Sequence, residues 1–195
     1  MKKLSTYLFL IFFSFSAPSF ADDIRDFQIE GMSLGDSLLD YFSEEEILEN
    51  LPYQELKKKK FNAFEFTSSE RFEDYDAIQI SIKPKDKKYI IYSIAGMIDF
   101  QDNIDNCIKK MKEIDLELLK MFKNLEKEEF DFAKHRKDKT GKSKYITTMY
   151  YFSNEDRIGT QCYDWSKEMK RRDHLRVLMR RKELSEWLIS GDAFK

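Results

Sequence analysis

Side chains that could do chemistry are concentrated in a basic segment near the C-terminus. Positions 167–182 hold eight lysines and arginines against two acids, Glu168 and Asp173. Clustered guanidinium groups attract phosphates, carboxylates and other anions. The arginines of this segment are therefore predicted to bind an anionic partner: Arg171, Arg172, Arg176, Arg180 and Arg181. The alternative is a solvated strand edge, where charges prevent pairing with another sheet.

The chain has two cysteines, Cys107 on a predicted helix and Cys162 on a predicted strand. In an oxidising compartment a lone pair of cysteines usually forms a disulfide. The bridge would close a loop of about 55 residues and contribute about 4 kcal/mol in the chain-entropy model. Two separate buried thiols are the alternative. The cysteines and the two histidines lack the spacing of a zinc site, so we predict neither a metal nor a cofactor.

The sequence Gly-Asp-Ser-Leu at positions 35–38 resembles the nucleophile motif of the GDSL esterases and lipases. The resemblance implies Ser37 as a nucleophile that a histidine of an Asp-x-x-His motif activates. Neither His135 nor His174 stands in such a motif, and both are expected on the surface. The start of a capped helix explains the same four residues. We therefore predict no catalytic residue and keep an esterase as the less favoured alternative.

Aromatic side chains are dense on neighbouring predicted strands in the second half of the chain. They are Tyr145, Tyr150, Tyr151, Phe152, Tyr163 and Trp165. Tyrosine and tryptophan at this density can line a ligand groove. Half-buried cross-strand pairs are the alternative. The ligand-binding residues therefore stay undetermined at this point.

The longest element that must position these groups is a helix predicted over residues 102–125. Ile104, Met111, Leu118 and Leu125 recur every seven positions, which places one apolar stripe along about six helical turns. Such a stripe must lie on an apolar partner. The flanking segments are typical of strands, so the helix is expected to cover one face of a sheet.

The start and the polar side of this helix are also predicted. Asp102 with Asp105 is a capping signature, because a side-chain oxygen can accept a hydrogen bond from the amide three residues on. Charged residues between the apolar positions, Asp115 among them, are expected to face water.

Hydrophobic alternation predicts the strands. Ile78, Ile80 and Ile82 alternate with polar residues, as in a half-buried strand. Strands are predicted over residues 61–66, 78–82, 89–98, 145–152, 158–165 and 175–179. Residues 126–144 are polar and highly charged and are predicted to form a mobile loop.

Two capping boxes, Ser33 with Asp36 and Ser43 with Glu46, predict two short helices before the first strand. Residues 183–189 predict a short final helix. The predicted fold class is thus α+β, with a mostly antiparallel sheet of about five or six strands. One long helix covers one face, and two short helices are N-terminal.

Residues 1–21 have the layout of a secretory signal peptide. Lys2 and Lys3 precede an almost wholly apolar run over residues 4–15, and Ser19 and Ala21 supply small residues at a cleavage site. An uncleaved anchor is the alternative. We predict a single α+β domain over residues 22–195 that is periplasmic or secreted, with no transmembrane segment. Residues 1–21 hold two of the 34 basic residues and none of the 36 acidic ones, so the remainder has a net charge of −4.

The N-terminal part resembles a known family. Ile29-x-Gly31-Met32-Ser33, followed by two leucines, is similar to the opening of the small outer-membrane-assembly lipoproteins of bacteria. In that family two short helices precede a three-stranded antiparallel sheet. The resemblance implies a non-catalytic envelope module that works by contact. The whole chain also resembles a group of small exported bacterial proteins, which implies export and no particular activity.

The functional expectation is therefore an exported, non-catalytic module that binds an envelope protein or an anionic surface. Export disfavours nucleic acid as the partner. A carrier of a small apolar ligand, held between sheet and helix, is the main alternative, ahead of the esterase.

Overall fold

The computed structural model describes residues 23–50, 60–67, 71–100, 103–123 and 125–191. The predicted signal peptide lies outside the described residues. Within them the chain forms one seven-stranded, fully antiparallel sheet in the order β1-β2-β3-β7-β6-β5-β4. The strands are β1 Asn62–Thr67, β2 Ala77–Ile82, β3 Ser93–Asp99, β4 Glu126–Lys134, β5 Lys144–Tyr151, β6 Arg157–Asp164 and β7 His174–Arg180. The helices are α1 Glu44–Glu49, α2 Ile104–Met121 and α3 Lys182–Ile189.

The α+β class and the antiparallel sheet match the sequence prediction, and the predicted strand count is close. The additional strand is β4, which occupies part of the segment expected to be a loop. β4 lies at the edge of the sheet and is exposed along almost its whole length. Its register with β5 shifts between Phe130 and Ala133. An edge strand with charged side chains shows little hydrophobic alternation, because neither face is fully buried.

The long helix α2 lies across β6 and β7. Its N-cap is Asn103, whose side chain accepts a hydrogen bond from the amide of Asn106, and the predicted cap Asp102 lies outside the described residues. The prediction that Asp115 faces water is wrong. Asp115 is buried and accepts a hydrogen bond of 2.7 Å from the hydroxyl of Thr160, and burial raises the pKa of this carboxyl.

The two N-terminal capping boxes have different outcomes. Ser43 and Glu46 form the reciprocal box that starts α1, as predicted. Asp36 accepts from the amide of Ser33, but the turn that follows does not continue as an α-helix. Only a three-residue 3₁₀-helix, Leu38–Asp40, forms there, with Ser37 as its N-cap. The first predicted helix is thus replaced by a turn and a 3₁₀ segment.

The sheet has one covered face and one open face. The covered face carries the main core, since α2 and residues 23–50 pack against it. A row of facing side chains crosses the sheet here: Phe64, Ile80, Ile94, Met179, Ile158 and Tyr150. The disulfide between Cys107 and Cys162 is formed, with a Cα–Cα distance of 6.0 Å. It ties α2 to β6 on the covered face.

None of the helices within the described residues is both long and apolar enough to cross a lipid bilayer.

Candidate functional site: a cationic cavity on the open face

The open face is the side of the sheet that points away from α2. Because side chains alternate along a strand, His174, Arg176, Leu178 and Arg180 of β7 share this face. The face lines a cavity of about 1110 Å³. Arg171 and Arg172, on the segment before β7, also line it. Four of the five predicted arginines therefore surround one cavity.

Strand register places the cavity arginines in two rows that cross the sheet. Arg180 of β7 lies between Ser93 of β3 and Arg157 of β6. Arg176 lies between Met97 of β3 and Gln161 of β6 in the other row.

An apolar row separates the two arginine rows. It consists of Ala95, Leu178, Gly159 and Met149, which belong to four neighbouring strands. Ala95, Leu178 and Met149 form a small buried cluster of their own.

The arginines at the centre of this face are incompletely satisfied. The Nε atoms of Arg157, Arg176 and Arg180 are buried and have no hydrogen-bond partner among the described residues. Arg176 uses one Nη atom to donate to Oε1 of Gln79, at 2.8 Å. A buried donor without an acceptor is unfavourable. The Nε atoms are closed to solvent but the three side chains are half-buried, so an oxyanion would bind the accessible part of the guanidinium groups and offset their charge.

The electrostatics of Arg180 point the same way. Burial, reinforced by the positive charges of Arg157 and Arg176, lowers the pKa of the Arg180 guanidinium to about 10. Three like charges on neighbouring strands repel one another, and no ion pair among the described residues neutralises any of the three. A bound anion would relieve this repulsion.

Two further arginines that line the cavity, Arg171 and Arg172, have partners in the protein. Arg172 forms an ion pair with Asp99 at 2.6 Å. The guanidinium of Arg171 lies over the ring of Trp165, 5.0 Å from the centroid. These two residues therefore contribute to the wall and to its positive potential more than to a free anion-binding centre.

The structure places the fifth predicted arginine elsewhere. The guanidinium of Arg181 lies over the ring of Tyr92, 5.0 Å from its centroid, and lines a different, smaller cavity together with Asp156. Conversely, Arg157 was not predicted, because its strand was expected to begin at the following residue. Its place in the site follows from strand pairing, which puts Arg157 directly opposite Arg180 and which the sequence does not reveal.

One end of the cavity is an aromatic cluster: His135, Tyr145, Tyr163, Trp165 and His174. The rings of Tyr145, Tyr163 and His174 stack across β5, β6 and β7, with centroid distances of 5.4 Å and 4.8 Å. His135 packs on Trp165 at 4.3 Å. The aromatic residues thus form cross-strand pairs and line the cavity, whereas Tyr150 is buried on the covered face.

The histidines were expected on the surface, and this expectation is wrong. His135 and His174 are half-buried in the aromatic cluster. Burial lowers the pKa of both imidazoles, and for His135 the charge of Arg171 adds to the effect. Both rings are therefore disposed to be neutral at pH 7.

The opposite end of the cavity is apolar. Helix α3 begins just beyond Arg180 and presents Leu184, Trp187, Leu188 and Ile189 to the cavity. Ile189 is 64% exposed, and the ring of Trp187 packs against Phe61 at 5.5 Å. We call these four side chains of α3 the apolar rim.

The groups considered for catalysis have structural roles. The hydroxyl of Ser37 donates to the carbonyl of Lys88 at 2.8 Å and accepts from the amide of Leu39 at 3.2 Å. Both histidines belong to the aromatic cluster on the open face instead. Among the described residues, no group of three or more His, Cys, Asp or Glu side chains is arranged to hold a metal ion.

Comparison with known proteins adds no homologue: no family model, characterised protein or solved structure gives a significant match to the chain.

Proposed function

We propose that the protein is an exported, non-catalytic binding module of the bacterial envelope, and that the open face of its sheet binds an anionic partner. The observation that carries the proposal is the set of three arginines at the centre of that face. Their Nε atoms are buried without acceptors, and Arg180 is surrounded by like charges.

A protein that only needed a solvated sheet surface would extend such side chains into water. Here Arg176 and Arg180 line one cavity, while Arg157 lies opposite Arg180 with its guanidinium over the ring of Tyr151, 4.8 Å from the centroid. The repulsion between the three charges destabilises the unliganded protein. Retaining an unfavourable arrangement is typical of a site whose ligand supplies the missing interaction. The shape of the site also favours a partner that enters the cavity over a flat surface that only touches its edge.

Export is supported by two independent features. The N-terminal residues have the order of a signal peptide, and the disulfide between Cys107 and Cys162 is of the kind that persists in oxidising compartments. The proposal expects mature protein that begins at Asp22. Intact-mass analysis of periplasmic protein tests this expectation, and protein retaining residues 1–21 would contradict it.

Anion binding is tested by calorimetric titration with inorganic pyrophosphate at low salt. We expect the double variant Arg176→Gln/Arg180→Gln to lose at least about tenfold in affinity, because a hydrogen bond to a charged group is worth about 1.5–3 kcal/mol. Binding should also weaken as the salt concentration rises.

Arg181→Gln is the matched control, because it removes an arginine from the same basic segment but outside the cavity. It should bind pyrophosphate as the wild type does. Equal loss in both variants would mean that the general positive charge of the segment, and not the cavity, attracts the anion. No binding by the wild-type protein would contradict the proposed function itself.

A further inference from the structure

We propose that the ligand of this cavity is an amphiphilic anion, a single molecule with an oxyanionic head and an apolar chain. The inference rests on the proposed function, since the arginines must bind the head. It adds a second site on the same surface, the apolar rim of α3, which would bind the apolar chain of the ligand. The head would lie at Arg176 and Arg180.

The position of the apolar rim supports this assignment. α3 follows β7 after a single residue, so its side chains lie next to the end of the sheet that carries Arg180. Leu184 of the rim is buried, while Trp187 and Leu188 are half-buried and Ile189 is exposed. These side chains line the same cavity as the arginines. Apolar groups beside a cationic centre suit a ligand with two chemically different parts.

The floor between the arginines supports the same conclusion. Leu178 lies between Arg176 and Arg180 on β7, and Gly159 lies opposite it. A Cβ at Gly159 would stand 2.2 Å from the carbonyl oxygen of Thr148 and 2.8 Å from the sulfur of Met149. The floor is therefore close-packed and apolar on β3, β7, β6 and β5, and the polar side chain that follows in this row, Gln79 of β2, already accepts a hydrogen bond from Arg176.

Charge complementarity restricts the head. The side chains of six basic residues but only three acidic residues line the cavity. Of the acids, Asp99 is paired with Arg172. Guanidinium groups bind phosphate and carboxylate oxygens alike, so both head groups share the required chemistry.

Three probes separate the parts of the proposal, and each is used below its critical micelle concentration. Dodecyl phosphate has both an anionic head and an apolar chain. Pyrophosphate has the anionic group without the chain, and dodecyl maltoside has the same chain on an uncharged sugar head. Dodecanoate replaces dodecyl phosphate in a parallel titration, which distinguishes a carboxylate from a phosphate head. We expect dodecyl phosphate or dodecanoate to bind at least about tenfold more tightly than either pyrophosphate or dodecyl maltoside.

The two tryptophans of the chain provide a local readout, because Trp165 and Trp187 lie at opposite ends of the cavity. In a Trp165→Phe variant, the remaining fluorescence comes from Trp187. We expect dodecyl phosphate to shift this emission to shorter wavelength and pyrophosphate to leave it unchanged. An unchanged emission on saturation with dodecyl phosphate would place the alkyl chain of the ligand away from the apolar rim and overturn the assignment.

The decisive variants are Ile189→Asn on the rim and Arg176→Gln/Arg180→Gln at the centre. Ile189 is exposed, so its replacement should leave folding intact. It should lower the affinity for dodecyl phosphate at least about fivefold and leave the affinity for pyrophosphate unchanged. The double arginine variant should bind both dodecyl phosphate and pyrophosphate more weakly than the wild type.

The other outcomes distinguish the failure of this inference from that of the proposed function. Equal affinity for dodecyl phosphate and pyrophosphate would overturn the amphiphile and leave anion binding in place. Equal affinity for dodecyl phosphate and dodecyl maltoside would show a carrier of apolar chains whose binding does not depend on the charge of the head group. Binding only to intact vesicles of phosphatidylglycerol, and to no monomeric probe, would show a membrane-surface protein. Failure of the wild-type protein to bind pyrophosphate would, as above, contradict the proposed function.

Discussion

On β7, Leu175, Val177 and Met179 point to the covered face, whereas Arg176 and Arg180 point to the open face. The two sets alternate along one strand, yet their surroundings differ completely. The first set packs against α2 and neighbouring strands, where Thr160 is paired with Asp115 and the hydroxyl of Tyr150 is an uncharged group left without a partner among the described residues. The arginines have buried donors without acceptors. The covered face stabilises the fold, and the open face holds three charges that stay unneutralised within the described part of the chain, which is the feature on which the proposed anion binding rests.

Removal of the disulfide should have the largest effect on the covered face. The double variant Cys107→Ala/Cys162→Ala should lose about 4 kcal/mol of unfolding free energy, because the bridge closes a 55-residue loop. Urea denaturation measures the loss. Pyrophosphate affinity below the melting temperature should stay within about twofold of the wild type, and a much larger drop would show that the two faces are not independent.

Truncation of a single core side chain should lower the free energy of unfolding somewhat less than removal of the disulfide does. Ile158→Ala removes a fully buried side chain from the covered face of β6 and should destabilise the protein by about 3 kcal/mol. Gln161→Ala, on the open face of the same strand, should cost less than about 1 kcal/mol. Similar losses for both variants, again from urea denaturation, would remove the distinction between the faces.

Replacing a central arginine of the open face should raise the free energy of unfolding, whereas the changes on the covered face lower it. Arg180→Met retains the bulk of the side chain and removes a buried charge that Arg157 and Arg176 repel. We expect the free energy of unfolding to rise by about 1 kcal/mol while pyrophosphate affinity falls. Arg181→Met is the control and should not increase stability, since it loses the contact with Tyr92.

The smallest effect should come from pH. Burial lowers the pKa of His135 and His174 in the folded protein, so the unfolded chain takes up protons first as the pH falls through about 6.5. Stability should therefore decrease between pH 7.5 and 5.5. The variant His135→Gln/His174→Gln should show a shallower decrease. Asp115 acts with the opposite sign, because its pKa is raised, and only the difference between variant and wild type isolates the histidines.

The elements that the sequence predicted are those with a periodic apolar pattern. α2 is predicted because its apolar stripe faces the sheet, and Cys107 lies on that stripe, which also explains the success of the disulfide prediction. β4 was missed because an exposed, charged edge strand is specified by its backbone pairing with β5 and has little side-chain periodicity. The turn at Ser33 was mistaken for a helix because its capping interaction is real but the chain then turns away.

The candidate site was predicted in composition but not in arrangement. Alternation along β7 is enough to place Arg176 and Arg180 on one face. It does not reveal which face α2 covers, or that Arg157 lies opposite Arg180. Arg181 belongs to the same run of charges but follows the end of the strand, where the alternation no longer applies, and it turns to Tyr92.

The sheet order has a consequence for the synthesis of the protein. β1, β2 and β3 form one antiparallel group and β4, β5 and β6 another, and β7 alone joins them by pairing with β3 and β6. β7 is also the last strand among the residues that the structure describes, and it carries Arg176 and Arg180. A chain that ends before His174 would lack both the link between the two groups and the cationic centre. The sheet can therefore be completed, and its cationic centre formed, only after residues 174–180 have been synthesised.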